Sequence, residues 1–209
     1  ISQAIERSEV AIPAQVNSLR EIASEIEWAK VLEISPDEYC QRALESDRLV
    51  KLPNNKSNNE NFSMIAKVYE AYEALKREER SLDFEDVLLL TVGMLEEERG
   101  VRERVRDQYR YFTVDEYQDV SPLQQRLLNL WLGNREEICV VGDVAQTIYS
   151  FAGATSNFLL NFKNRFPNAQ IFRLTTGYRS TPEIINTANL ILRSSNLISD
   201  QVLELQSVK

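Results

Sequence analysis

The sequence predicts an α/β protein, a parallel sheet with flanking helices, preceded by an all-helical subdomain. Three observations predict it. Short runs rich in β-branched or aromatic residues recur at 111–114 (YFTV), 138–141 (ICVV) and 171–174 (IFRL), each too short for a helix. Stretches with helical periodicity separate them. The first 80 residues, by contrast, carry helical periodicity without any such run. Strands that alternate with helices imply a parallel sheet covered on both faces, with functional residues gathered at the carboxyl ends of the strands.

Taken in order, Val16, Leu19, Ile22, Ala23, Ile26 and Lys30 follow helical spacing with charges between them. SPDEYCQRAL begins a second helix, with Ser35 as N-cap, Pro36 at the first helical position and two acids in the first turn. LPNNKSNNEN (52–61) is polar and rich in Asn, lacks a buried face, and reads as an exposed link. A third helix places Phe62, Ile65, Ala66, Tyr69 and Tyr72 on one side. From residue 81 the texture changes. LDFEDVLLLTVGML sets Phe84, Val87, Leu88, Thr91 and Leu95 on one helical stripe. Further helices are expected at 122–132, capped by Ser121 with Pro122 first, and at 182–193, with Thr181 and Pro182 in the same roles. The expected division is a helical accessory subdomain over 1–80 and an α/β core over 81–209.

Composition narrows the chemistry. The 209 residues are 43% apolar and 27% charged, the profile of a soluble globular protein. No apolar run reaches the roughly 18 residues of a membrane span, and no secretory signal is visible, so a cytoplasmic location is expected. Ile1 is not a methionine, so the sequence is expected to begin inside a longer protein. Two distant cysteines and no histidine argue against a disulfide framework, a zinc site and Ser-His or Cys-His nucleophiles. Acid–base work falls to carboxylates, lysine or tyrosine. A formal net charge of −8 is not that of a general electrostatic trap for DNA, although a local groove can still hold nucleic acid by stacking.

Each run ends in a polar cluster. YFTV leads into Asp115-Glu116-Tyr117-Gln118-Asp119, ICVV into Gly142-Asp143-Val144-Ala145-Gln146, and IFRL into Thr175-Thr176-Gly177-Tyr178-Arg179-Ser180. Parallel neighbours would bring these tails to one edge. Carboxylates, an amide, an arginine and aromatics together suit a nucleoside triphosphate site, in which one carboxylate binds Mg²⁺, another orients water and a cation meets phosphoryl charge. Singly, each cluster has a plainer reading. An Asp-Glu pair can be a solvated turn, Tyr149 and Phe151 can be core residues, and Tyr178 can pack under a loop.

In conjunction they point further. D-E-x-Q-D, then V-V-G-D-x-x-Q-T-I-Y-x-F-x-G-A, then L-x-x-x-Y-R-S-T, preceded by DFEDVL at 83–88, resembles the UvrD/PcrA/Rep family of superfamily 1 DNA helicases. The resemblance is close over 81–193 and looser over 1–80. It implies a partial RecA-like core of the P-loop NTPase type. It also implies ATP and Mg²⁺ as cofactors, with single-stranded DNA and DNA junctions as partners in a full-length enzyme of repair or replication. By position, Asp115 would bind Mg²⁺ and Glu116 would act as general base. Gln146 would sense the γ-phosphate, Tyr178 would stack on adenine and Arg179 would reach the γ-phosphate. Tyr149 and Phe151 would contact bases of single-stranded DNA.

Three positions depart from the family pattern, of which Thr147 in place of serine is conservative. Ala152 stands where the family carries arginine before Gly153-Ala154, and Gly177 replaces an asparagine, which is expected to loosen that turn. None of the six glycines lies in a phosphate-binding loop; in the family that loop is upstream. The chain therefore reads as a central helicase segment, inactive alone, with exposed sheet edges that favour self-association. The alternatives are a helicase-like interaction module without motor activity, and the motor segment of a recombination helicase-nuclease subunit.

Overall fold

The computed structural model describes residues 1–12, 15–54, 56–194 and 204–208. They fall into two units. The first, a helical unit, comprises Ile1–Gln108, Ser121–Gly133 and Phe151–Gly153. The second, a sheet unit, comprises Tyr109–Val120, Asn134–Ser150 and Ala154–Lys209.

In the helical unit, α1 (Ser2–Arg7), α2 (Val16–Val31), α3 (Tyr39–Glu45) and α4 (Asn58–Glu79) surround one apolar core. At its centre Tyr39 lies edge-on to both Trp28 and Phe62, with ring centroids 6.2 and 6.0 Å apart. The helix α2 matches its expected periodicity. The second expected helix begins later than its Pro36 signal. A turn closed by the Glu38 N–H on the Ser35 carbonyl comes first, and α3 starts at Tyr39.

The polar stretch 52–61 corrects a second expectation, apart from Asn55, which lies outside the described residues. Ser57 and Glu60 form a capping box, so α4 starts four residues before Phe62. The asparagines do structural work. Asn58 accepts from the Val50 N–H at 3.0 Å and donates to the Arg48 carbonyl, while Asn61, 3% exposed, accepts from Asn54 at 2.9 Å. A side-chain amide can replace a missing strand or helix partner for buried backbone groups, so Asn enrichment here marks a latch.

Helices α5 (Phe84–Glu97), α6 (Arg99–Gln108) and α7 (Pro122–Leu132) form a second cluster around Val92, Leu95, Leu123 and Leu127. Ser121 caps α7 in a reciprocal capping box with Gln124, and Pro122 opens it, as the sequence predicts. Asp83 caps α5 with Asp86 in the same way. Both carboxylates also meet two buried ammonium groups, Lys30 from α2 and Lys76 from α4, at 2.5–2.8 Å. Burial works to raise the Asp83 pKa, but the hydrogen bonds from Lys30 and Lys76 outweigh it and hold the carboxyl well below its usual range. Burial likewise opposes the Lys76 charge, and its carboxylate partners raise its pKa. The two lysines occupy the space among Glu73, Asp83 and Asp86 that a metal ion would otherwise take.

The sheet unit contains β1 (Phe112–Val114) and β2 (Ile138–Val140), which pair in parallel with Phe112 opposite Ile138 and Val114 opposite Val140. This confirms parallel α/β character at the coarse level. Two expectations fail. Only one face of this pair is covered: Thr113 and Cys139, which are register partners, point to an exposed face. Moreover, no strand forms over 171–174. Ile171, Phe172 and Leu174 are exposed, Phe172 by 80%, because no described strand offers the backbone partners that an extended segment needs. Instead β3 (Thr176–Gly177) pairs in parallel with β4 (Gln206–Ser207) in a separate two-stranded sheet. Short helices α8 (Asn157–Leu160) and α9 (Phe162–Arg165) follow β2, and α10 (Pro182–Ser194) follows β3. Among the described residues no helix is long and apolar enough to cross a membrane.

Candidate nucleotide site and aromatic loop

The carboxylate cluster is built by the two strand ends. Val141 donates to the Val114 carbonyl at 2.8 Å, and the Tyr117 N–H returns to the Val141 carbonyl at 2.9 Å, so both chains leave the sheet side by side. Tyr117 is buried edge-on to Phe162, with centroids 5.9 Å apart, and anchors the turn. Asp115 and Glu116 are thereby left exposed at its tip.

Glu116 has φ 50° and ψ 42°, in the left-handed region. The other non-glycine residues with positive φ, Glu9, Glu33, Asp47 and Arg80, all end helices, where such a residue satisfies terminal carbonyls. Among the described residues, Glu116 is the one of these that follows a strand. A side chain held there costs on the order of 1 kcal/mol or more and is retained where its surroundings demand it.

Gln118 supplies that demand. It is fully buried, and its amide nitrogen donates to Glu116 at 2.7 Å and to Asp119 at 3.3 Å. Its amide oxygen accepts from the Asp143 N–H at 3.0 Å. The Asp143 carboxylate in turn accepts from the Ala145 N–H at 3.0 Å and from the Gln146 amide at 2.8 Å. Gly142 is needed for this approach, since a Cβ there would stand 2.6 Å from the Gln118 amide oxygen. One chain of hydrogen bonds thus joins Glu116, Gln118, Asp143 and Gln146. From the sequence Glu116 and Gln146 are site candidates and Gln118 is expected to brace the site, but its bond to the Asp143 N–H is not apparent there. The signal for Gln118 is a long amide among carboxylates, directly after an apolar run.

The remaining candidates lie elsewhere. Tyr178 and Arg179 follow β3, at the separate small sheet, and both are exposed; among the described residues no hydrogen bond joins them to the carboxylate cluster. Tyr178 is 71% exposed, which removes the reading of a tyrosine packed under a loop. Gly177 does not loosen its turn but sits in register with Ser207, where a Cβ would meet Ile185 at 2.7 Å. Tyr149 is 52% and Phe151 58% exposed, so neither is a core residue. Phe151 groups with the helical unit, where its carbonyl accepts from Arg48 at 3.1 Å.

A model of the UvrD/REP helicase N-terminal domain matches residues 2–167. The chain belongs to the UvrD/REP helicase family. The ATP-dependent DNA helicase UvrD2 of Mycobacterium tuberculosis is 44% identical over 191 residues, 90% of this chain and 26% of that protein; UvrD2 of Mycobacterium bovis matches to the same extent. The ATP-dependent DNA helicase PcrA of Leuconostoc citreum is 38% identical over 132 residues, 63% of this chain and 18% of its own length. The chain spans about a quarter of the length of the UvrD2 relatives. The family match takes in the carboxylate cluster and the aromatic loop of this UvrD/REP member and ends before Tyr178 and Arg179.

The donor set suits a hard cation. Asp115 offers exposed carboxylate oxygens, and Asp119 buries one oxygen that no described donor meets. Carboxylates with room for water are what Mg²⁺ takes beside phosphates.

Proposed function

We propose that this chain is part of an ATP-dependent DNA helicase, with residues 1–80 as accessory subdomain and 81–209 contributing to a RecA-like motor core. The supporting observation is the hydrogen-bonded chain from Glu116 through Gln118 and Asp143 to Gln146, set at the carboxyl ends of two adjacent parallel strands. In this reading Asp115 holds Mg²⁺, whose role is to neutralise charge between the phosphates of ATP. Glu116 accepts the proton of the attacking water. Gln146 contacts the γ-phosphate and responds to its loss. Tyr178 stacks on the adenine, and Arg179 stabilises charge on the transferred group. Tyr149 and Phe151 stack on unpaired bases, a contact worth about 1–3 kcal/mol per base and blind to sequence.

The assigned parts need not all touch in one state, because phosphoryl transfer depends on positioning and charge stabilisation completed when nucleotide binds. The names of the relatives support a DNA substrate, and we place the protein in DNA repair or replication. The alternative of an interaction module without motor activity accounts less well for Glu116, which is held in a costly conformation beside Gln118.

The test uses the full-length protein. Glu116→Gln should lower DNA-stimulated ATP turnover by at least about 100-fold, the usual contribution of a general base, while nucleotide binding stays intact. Normal turnover by this variant would defeat the base assignment. Robust DNA-stimulated turnover by the 209-residue chain alone would defeat the view that other segments hold the phosphates.

A further inference from the structure

We propose that Arg48 is a positioning residue for single-stranded DNA binding, because it clamps the backbone of the aromatic loop at Phe151. The inference rests on the reading of Phe151 as a base-stacking residue.

Arg48 follows α3 and is partly buried. Its guanidinium serves three partners. It lies over the Trp28 ring, 4.3 Å from the centroid. Its Nε reaches both Glu25 carboxylate oxygens at 3.0 Å. Its Nη2 donates both to Glu25 Oε1 at 2.5 Å and to the Phe151 carbonyl at 3.1 Å. The first two partners are themselves fixed. Glu25 is buried and accepts from the Tyr39 hydroxyl at 2.6 Å, and Trp28 packs on the Tyr39 edge. A planar guanidinium held on a ring and a carboxylate has its remaining N–H groups aimed before the loop arrives.

The loop is held at a second point. Gly153 has φ 90°, and a Cβ there would stand 2.5 Å from Val31 Cγ2. Ala152 lies between the two anchors, and the guanidinium that meets this loop is that of Arg48. The result is a fixed backbone that carries an exposed phenyl ring. Such a platform loses little freedom when a base stacks on it, and preorganisation of this kind raises affinity.

A plainer role for Arg48 is to neutralise buried Glu25. That role accounts for the ion pair and leaves the bond to the Phe151 carbonyl without purpose. Arg48→Lys separates the two, since an ammonium can stay with Glu25 but cannot also span to the carbonyl. Arg48→Ala strands the Glu25 charge and serves only as the misfolding control.

In the full-length protein, Arg48→Lys should keep the wild-type unfolding midpoint within a few degrees. It should speed amide hydrogen exchange in a peptide covering 148–155. The oligo-dT concentration that half-saturates ATPase stimulation should rise about tenfold, as expected for loss of one charge-assisted hydrogen bond, with turnover at saturating DNA and the KM for ATP unchanged. Unchanged exchange in that peptide overturns the clamp. Faster exchange with an unchanged DNA requirement overturns its role in DNA binding. Phe151→Ala is run beside it. If that variant leaves the DNA requirement unchanged, the stacking assignment fails, and the inference falls with it, whatever Arg48→Lys does to exchange.

Discussion

Gln118 spends both ends of its side chain, donating to Glu116 at 2.7 Å and accepting from the Asp143 N–H at 3.0 Å. Gln118→Leu keeps the volume and removes these bonds together with the weaker one to Asp119. It leaves the Asp143 N–H without its acceptor, and leaving such a group unmet costs about 1–3 kcal/mol. Urea unfolding should show a loss of that size. Gln118→Glu should do more harm at pH 7, because it adds a carboxylate beside Glu116 and Asp119. The gap between that variant and wild type should narrow as the pH falls towards about 4, where carboxylates take up protons. A gap independent of pH would mean that Gln118 matters for shape alone. Asp115, Glu116, Asp143 and Gln146 are legible in the sequence because charge and amide end an apolar run. The link from Gln118 to Asp143 is not legible, because that distant partner is chosen by the parallel register of β1 and β2, which no local pattern encodes.

At the scale of the element, the α5 N-terminus is the most heavily constrained helix end. Asp83 caps it, receives both Lys30 and Lys76, and accepts from the Tyr72 hydroxyl at 2.9 Å. Its folded pKa is depressed, so its contribution is complete above the unfolded value of about 3.9 and is lost as the pH falls through the lower folded value. Lys76 has the opposite sign. Its folded pKa is raised, so its contribution is complete below about 10.4 and is lost as the pH rises through the higher folded value. Stability of the helical unit should therefore form a plateau with an acid and an alkaline edge. Asp83→Asn keeps a capping side chain and leaves Lys30 and Lys76 with Asp86 and Glu73 as carboxylate partners; it should cost less than the about 3–5 kcal/mol of an uncompensated buried charge and should flatten the acid edge. Thermal unfolding against pH checks both effects. Helix starts are readable at Ser121-Pro122, where cap and proline agree with the fold, but not at Ser35-Pro36, where a turn comes before α3. The start at Ser57 is hidden, because a run of asparagines has the composition of solvent-facing loop, whereas Asn58 and Asn61 hold the Val50 backbone.

For the whole molecule, the sequence conveys the alternation of helix and strand but not which strands find partners. IFRL has the composition of a buried strand, yet its residues stand in solvent because pairing is a non-local property. The same holds for α5, where Phe84, Val87, Leu90 and Met94 are exposed while Val92 and Leu95 turn to the core. Burial of apolar area is favourable at about 25 cal/mol per Å², and unpaired extended segments invite pairing with another chain. We therefore propose that the isolated 209-residue chain self-associates. Its net charge of −8 opposes this, since two like-charged copies repel. At 0.1 M salt that repulsion is screened beyond about 10 Å. Association through the apolar faces should then strengthen as salt rises, whereas association through ion pairs would weaken. Sedimentation velocity from 50 to 500 mM NaCl, at roughly micromolar chain, separates the two. Phe84→Glu and Phe172→Glu should each reduce the larger species, and together they should leave a monomer. A wild-type chain that stays monomeric at every salt concentration would mean that these apolar faces need no cover.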